Sequence, residues 1–451
     1  MQTGRLIRRR ATVRPSHAAA DCGEGELRAR RKQPVAAAAT GWLLFGVVVF
    51  VALALATSRL TPLGEAPDEP AHLEYVRLLI ETGRIPAVPE GPGEVAYELH
   101  QPPMAYAVTA TAVRGWWQRE AWPELRRAAE FDFSRPPKRY VAAAAGLHGW
   151  WPPRLVSCFW AILFLPALWS CAGAMVREAG AGAAAFFLIA LTPQMVFSFA
   201  TFSNDAAAIS LSTLAFALLL AAGRRRSDAW LLSAAGLCGL ALWAKLTAAF
   251  LFFPLLVVVA RWPRRRVAAA AGAVWLAMLS ALLAFQATRG IPFGHAVPSS
   301  WGMGGGSPAA LVTEPGWLVT LWLGTWAKLG WFNVSLPAPA YAWFLLPTAA
   351  LGAGVWAAAR ARTLTGIACL AAVGGAFASL LLYMTTTDWQ PQGRLLFPAI
   401  GPACALVGLG IERLGRRLAG SRSRIVILAA GGAIAVCLVG LRALHLAYAG
   451  T

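Results

Sequence analysis

Apolar residues in this chain gather in long runs separated by short polar breaks; they neither alternate as in strands nor stripe one face of short helices. The long runs fall at about 40–58, 154–176, 181–200, 205–222, 229–243, 246–261, 267–288, 339–359, 364–385, 395–412 and 425–447. About 20 apolar residues is what an α-helix needs to cross the hydrocarbon core of a bilayer. The pattern therefore predicts an all-α integral membrane protein. Two shorter runs, 103–117 and 316–335, are ambiguous by length alone.

Charge resolves them, because cytoplasmic loops collect Lys and Arg. If neither short run spans, Arg177, the loops 224–228 and 261–266, Arg360, Arg362 and the 413–424 loop all share the N-terminal side. If 103–117 spans, the two three-arginine loops (Arg224–Arg226 and Arg264–Arg266) flip to the outside. The first arrangement gives about eleven transmembrane helices, with the N-terminus cytoplasmic and the C-terminus outside. The short runs then become interfacial or re-entrant helices within two large outer loops, about 59–153 and 289–338. Trp317, Trp322, Trp326 and Trp331 in the second suit the headgroup belt. Residues 1–38 read as a basic, disordered cytoplasmic tail ahead of a polytopic domain, 39–451. The first apolar run continues to Ser58 and meets Arg59, so an uncleaved anchor is expected rather than a signal peptide.

Composition agrees. Hydrophobic residues make up 58% and charged residues 14%, against about 45–50% and about 25% in soluble chains, which excludes a soluble or disordered protein. The formal charge of +19 would suggest nucleic acid in a soluble chain. Here the basic runs punctuate spans and are not interleaved with stacking aromatics, so no nucleic acid is expected. Six of the seven cysteines lie in apolar runs and no CxxC occurs; they read as small packing residues.

Twelve of the 21 acidic residues lie within 59–153, a crowding that solubility does not require of a membrane-bound chain. The first feature there is Pro67-Asp68-Glu69-Pro70-Ala71-His72-Leu73-Glu74-Tyr75. Asp68 is placed to cap a helix with Pro70 in its first turn, running to about Thr82 and closing on Gly83. Asp68 and His72, four apart, then share a face. An Asp-Glu pair at a helix start is also ordinary capping, so both readings stay open. The second feature is Tyr97-Glu98-Leu99-His100-Gln101-Pro102-Pro103, where two prolines fix the backbone as polar residues meet an apolar run. That holds Glu98, His100 and Gln101 at membrane level, though a plain loop-to-helix junction looks the same. The third, Asp388-Trp389-Gln390-Pro391-Gln392-Gly393-Arg394, is an outer turn that leaves Arg394 at the end of a span. A charge there is costly unless it meets an anion or snorkels, and a guanidinium suits a bidentate grip on phosphate. Lys245 and the Asn204-Asp205 turn fall on the same outer face. The set His72, His100, His295, Asp68 and Glu69 lacks dense ligand spacing, so no metal site and no cofactor is expected. The Gly302–Gly306 run lacks the Lys-Ser/Thr of a phosphate loop and reads as a flexible linker.

Five short motifs follow one another: PDEPAH (Pro67–His72), HQPP (His100–Pro103), SND (Ser203–Asp205), KLGWF (Lys328–Phe332) with Leu336-Pro337, and QGRLLFP (Gln392–Pro398). In that order they resemble a group of bacterial multi-pass membrane proteins with a domain of unknown function. That group is related to the GT-C membrane glycosyltransferases, which include protein O-mannosyltransferases and the aminoarabinose transferases of lipid A. The resemblance covers most of the chain from residue 40 onward. It implies a GT-C-like bundle in the bacterial cytoplasmic (inner) membrane and a sugar donor carried on a polyprenyl phosphate. It also implies a catalytic acidic motif in the first outer loop, with Asp68 as base and Glu69 as neighbour or substitute. His100, Lys245 and Arg394 become candidates for the lipid phosphate, with His72, Gln101 and Gln392 as further substrate-binding candidates. The chain has Leu395 where the family pattern often has an aromatic, which removes a stacking contact but leaves Arg394 untouched. Neither the sugar nor the acceptor carries over.

The chemistry such a site needs is small. A phosphate-linked sugar has a leaving group that departs as an anion, so one carboxylate near the acceptor hydroxyl and two or three cations near the phosphate suffice. Inversion is expected, since a retaining route needs a second, nucleophilic carboxylate. A polysaccharide polymerase or ligase using a diphosphate donor fits the same features. A lipid or sugar transporter (flippase) would place charges mid-span between paired broken helices, and a non-catalytic scaffold would use Asp68 only as a cap.

Overall fold

The computed structural model describes residues 18–90, 96–116, 126–127, 140–141, 151–291, 305–415 and 422–449. Among the described residues, eight helices are long and apolar enough to cross a membrane: Ala39–Leu60, Trp151–Ala172, Asp205–Arg225, Arg265–Ala287, Ala338–Ala361, Leu364–Thr386, Gly393–Gly415 and Arg424–Tyr448. The run expected at 181–200 is a pair, Ala179–Ala190 and Pro193–Ala200, bent by 58°. Its cause is local. Pro193 has no N–H with which to continue the helix, and Thr192 accepts from Met195 N (3.3 Å) to cap the second piece. The runs expected at 229–243 and 246–261 are shorter helices, Asp228–Ala244 and Leu246–Ala260. Lys245 separates them with an extended backbone, φ −161° and ψ 135°. The far ends of this hairpin are tied where Trp262 Nε1 donates to Asp228 at 2.9 Å.

Each expected apolar run is thus helical, and eight have the length of a full crossing, or nine if the bent pair is one span. The first helix begins at Ala18, so residues 18–38, expected as disordered tail, continue it; the Ala, Arg and Glu of that stretch are good helix formers. The rest of that tail, His295 and Gly302–Gly304 lie outside the described residues.

Neither ambiguous run holds, among the described residues, a helix long enough to cross. Met104–Val113 has 10 residues and Gly316–Trp326 has 11, about 15 Å of helix each. After the second, a small antiparallel ribbon pairs Lys328–Leu329 with Val334–Ser335. Its tryptophans do not form the expected belt. Trp317 and Trp326 are buried, and Trp326 stacks on Phe344 at 5.2 Å. Trp322 Nε1 donates to Thr348 Oγ1 (3.0 Å) and Trp331 Nε1 to the Gly64 carbonyl (2.8 Å). The indole N–H groups find partners within the protein, so this loop is packed onto the bundle.

In lipid, helices associate through close packing rather than a hydrophobic drive. Leu345–Ala361 and Ile400–Gly415 meet this way: a Cβ on Gly354 would overlap the Leu406 carbonyl oxygen, and one on Gly410 that of Ala350. The six cysteines of the apolar runs are free thiols, five of them buried. Chain direction alternates through the bundle. The starts at Asp205 and Gly393 and the ends at Leu60, Ala244 and Ala287 therefore share one end, tied by Arg394–Asp68, Lys245–Asp205 and Gln286–His100 bonds. At the other end, Arg224–Arg226, Arg360 and Arg362 close helices and Arg264–Arg266 open one.

Candidate active site

The expected helix after the PDEP segment forms at Glu69–Thr82 and closes on Gly83, whose φ of 65° is left-handed and whose N–H bonds Leu79 O. Asp68 occupies the cap position but does not cap. Its backbone is also left-handed, φ 63°, and its side chain makes no cap bond. Asp tolerates this region better than most residues. The turn aims the carboxylate out of the helix start, where Oδ2 lies 2.5 Å from Nη2 of Arg394.

Arg394 is held from its own side. Along the outer turn, side chains two residues apart bond in sequence: Gln390 to Asp388, Gln392 Nε2 to Gln390 Oε1 (3.3 Å), and Arg394 Nε to Gln392 Oε1 (2.7 Å). Gly393 packs so tightly on Thr325 that a Cβ would collide with its backbone N. This seats the turn on the Gly316–Trp326 helix and fixes the direction of Arg394.

A second ion pair completes the centre. Lys245, freed from both helices it separates, brings Nζ to 2.5 Å from Asp205 Oδ1, and Asp205 Oδ2 lies 3.7 Å from Arg394 Nη1. Two acids and two bases from four distant parts of the chain therefore form one cluster. Beside it, Asn204 Nδ2 donates to Gln101 Oε1 (3.2 Å) and to the Ala244 carbonyl (3.3 Å). His100 uses both ring nitrogens within the protein, Nδ1 to Tyr97 O (2.7 Å) and Nε2 against Gln101 Nε2 (3.1 Å). Arg289 pins this loop from behind, bonding the carbonyls of Pro86 (2.9 Å), Leu99 and Gln101 (3.3 Å).

Glu69 points elsewhere. It is fully buried, and Arg154 grips it with Nε at 2.7 Å and Nη2 at 2.6 Å. Phe202 N adds a bond at 2.9 Å and Gly64 N one at 3.4 Å. Arg154 also donates to the carbonyls of Ser58 and Thr61 at 2.8 Å. The pair staples the first loop to the ends of two helices, and the lone pairs of Glu69 are occupied.

On the other flank, His72 Nδ1 and Tyr106 Oη share a hydrogen bond of 2.8 Å, and Glu98 Oε2 lies 4.0 Å from the same nitrogen. Burial pushes His72 down to about 3 and His100 to about 4, each against smaller opposing pulls. Neither histidine brings a positive charge to a phosphate at neutral pH. Burial, reinforced by Asp68, pushes Glu98 up to about 8, so it holds its proton. Asp68, His72 and Glu98 each offer one ligand atom, all within 4.8 Å of one another. That set can hold a metal ion, although Arg394 and Tyr106 already engage two of its members.

Of the residues expected from sequence, Asp68 and Arg394 meet directly, Lys245 joins them through Asp205, His72 and Gln392 adjoin them, Gln101 joins through Asn204, His100 stands behind Gln101, and Glu69 lies in the Arg154 clamp. Asp205 was visible only as part of a short turn and received no role. Nothing in the local sequence of Arg154, Tyr106 or Arg289 signals the site; their partners lie 34 to 203 residues away.

Residues 151–401, more than half of the chain, match the family model Predicted membrane protein (DUF2142). The fold is similar to that of ArnT from Cupriavidus metallidurans, a GT-C glycosyltransferase, in crystal structures bound to undecaprenyl phosphate and in the apo state. Both share 16% identity and a TM-score of 0.53 with this chain, covering 90% and 91% of it and 76% of ArnT. The likeness is one of fold, and it bears out the GT-C-like, multi-pass helical bundle expected from sequence. No curated protein matches the sequence.

Proposed function

We propose that this chain, which belongs to the DUF2142 family of predicted membrane proteins, is a glycosyltransferase that moves a sugar from a polyprenyl-phosphate donor to a cell-envelope acceptor, inverting the anomeric carbon. The observation that carries the reading is the meeting of Asp68 and Arg394 at 2.5 Å across 326 residues of chain, beside the Asp205–Lys245 pair. Charges at membrane depth are costly to bury and mark function more often than stability. A carboxylate facing a guanidinium and an ammonium is the set that glycosyl transfer from a lipid phosphate requires. The fold likeness to a protein crystallised with undecaprenyl phosphate favours that class of donor.

In this mechanism the acceptor oxygen attacks the anomeric carbon from the face opposite the phosphate. Asp68 takes the hydroxyl proton as the new C–O bond forms. The bond from the anomeric carbon to the phosphate oxygen breaks, and its electron pair leaves on the phosphate, where Arg394 and Lys245 stabilise the charge. Glu69 and Arg154 hold the loop that carries the base. We read the eleven helical runs as eleven crossings. The arginine-rich end then faces the cytosol, and the site opens on the outer face of the bacterial inner membrane. A transporter would call for charges in paired broken helices; the bent pair, Ala179–Ala190 with Pro193–Ala200, contains no charged residue.

The test is transfer by the purified full chain in lipid, supplied with a panel of polyprenyl-phosphate sugars and envelope acceptors, with products read by mass spectrometry. One donor should give product. Asp68→Asn, which keeps a side chain at home in the left-handed region, should fold normally and lose about 10²–10⁴ in rate. Wild-type turnover by that variant removes Asp68 from the chemistry.

A further inference from the structure

We infer that the donor's phosphate and Asp68 compete for Arg394, so that donor binding is the event that frees the base. This rests on the function proposed above and deepens it. Each guanidinium nitrogen faces an acceptor: Nε bonds Gln392 at 2.7 Å, Nη2 bonds Asp68 at 2.5 Å, and Nη1 lies 3.7 Å from Asp205. A bidentate grip on phosphate needs two parallel N–H groups on one edge, and both such edges of the guanidinium run through Nη2, the nitrogen that bonds Asp68, so phosphate and carboxylate draw on the same group.

The three partners are not equally held. Gln392 belongs to the same turn and to its chain of side-chain bonds. Asp205 is buried and fastened to Lys245. Asp68 is more exposed than Asp205, with 24% of its side chain open against 6%. Its carboxylate makes no bond to the helix it precedes. The phosphate therefore displaces Asp68. While paired with Arg394 the carboxylate is engaged as an acceptor; once the guanidinium turns to phosphate, its lone pairs are free for the acceptor hydroxyl. An acceptor arriving first meets a neutralised carboxylate, and one arriving after the donor meets a free base. The order of binding is donor, then acceptor, which guards the site against reacting without both.

The experiment measures binding of undecaprenyl phosphate to the full chain in detergent for the wild type, Asp68→Asn and Glu81→Gln. Glu81 lies at the end of the helix that Asp68 precedes and pairs with Arg77 rather than with any residue of the cluster, so its variant reports bulk charge alone. Removing the competitor should make Asp68→Asn bind about tenfold tighter than wild type, or ~1.4 kcal/mol, with Glu81→Gln within about twofold. Undecaprenol, the same tail without phosphate, should gain nothing. If Asp68→Asn fails to fold, Asp68→Gly suits the left-handed backbone and carries the same expectation. Equal or weaker binding by the Asp68 variant, an equal gain in Glu81→Gln, or an equal gain for undecaprenol overturns the inference and leaves the transfer reading standing. Failure of the wild type to bind undecaprenyl phosphate overturns the transfer reading itself.

Discussion

Replacing Glu69 by glutamine separates chemistry from architecture in the acidic motif. The carboxylate takes four N–H donors: two from Arg154 at 2.6 and 2.7 Å, Phe202 N at 2.9 Å and Gly64 N at 3.4 Å. Glutamine keeps one accepting oxygen and turns the other position into an NH₂ that faces donors. Arg154 is left 6% exposed, with its charge answered only by backbone carbonyls. Removing one member of a buried pair costs about 3–5 kcal/mol. The retained oxygen puts the expectation near ~3 kcal/mol, a large share of the ~5–15 kcal/mol that holds a typical protein folded. Thermal unfolding in detergent should show a markedly lower transition for Glu69→Gln. Transfer by the folded fraction, measured well below that transition, should fall less than about tenfold, because the proton acceptor is still present. A variant with unchanged unfolding and abolished transfer would put Glu69 in the reaction and refute the clamp.

Helix packing gives a second expectation: Gly410→Ala, which drives a methyl into the Ala350 carbonyl, should lower stability by about 1–3 kcal/mol, whereas Gly352→Ala, with open space around it, should leave the unfolding transition unmoved. The third concerns pH. Burial lowers His72 to about 3 from 6.5, so the folded chain keeps the ring neutral while the unfolded chain protonates it. Stability present above pH 6.5 is therefore lost as pH falls towards 3, at ~1.4 kcal/mol per pH unit for one proton. Glu98, raised to about 8, acts oppositely, losing stability as pH rises from 4.5 to 8. Unfolding profiles between pH 7 and 4 should show His72→Gln shallower than wild type by that one-proton slope; parallel profiles would mean the ring is protonated in the fold.

The helical bundle was legible because lipid imposes a strong pattern: long apolar runs, with arginines sorting their ends. Parity set 103–117 and 316–335 apart from the spans, and the helices found there, of 10 and 11 residues, are short for a crossing. It said nothing of Thr192-Pro193, where a proline inside an unbroken apolar run bends the helix. It also gave no warning that the tryptophans of 316–335 would spend their N–H groups on Thr348 and Gly64. At the site, sequence brought forward Asp68, Lys245 and Arg394 because a charge next to an apolar run stands out. It did not separate Asp68 from Glu69, since adjacent carboxylates look alike until backbone geometry turns one outward at φ 63° and the other into Arg154. Asp205 was undervalued for the same reason: its worth lies in Lys245, 40 residues on.

The 326 residues between Asp68 and Arg394 also set a clock for biosynthesis. At about 5–20 residues per second, the ribosome takes roughly 16–65 s to deliver the guanidinium after the carboxylate has been made. Throughout that interval Asp68 lacks the partner it has in the fold, and a chain stalled before residue 394 never acquires it.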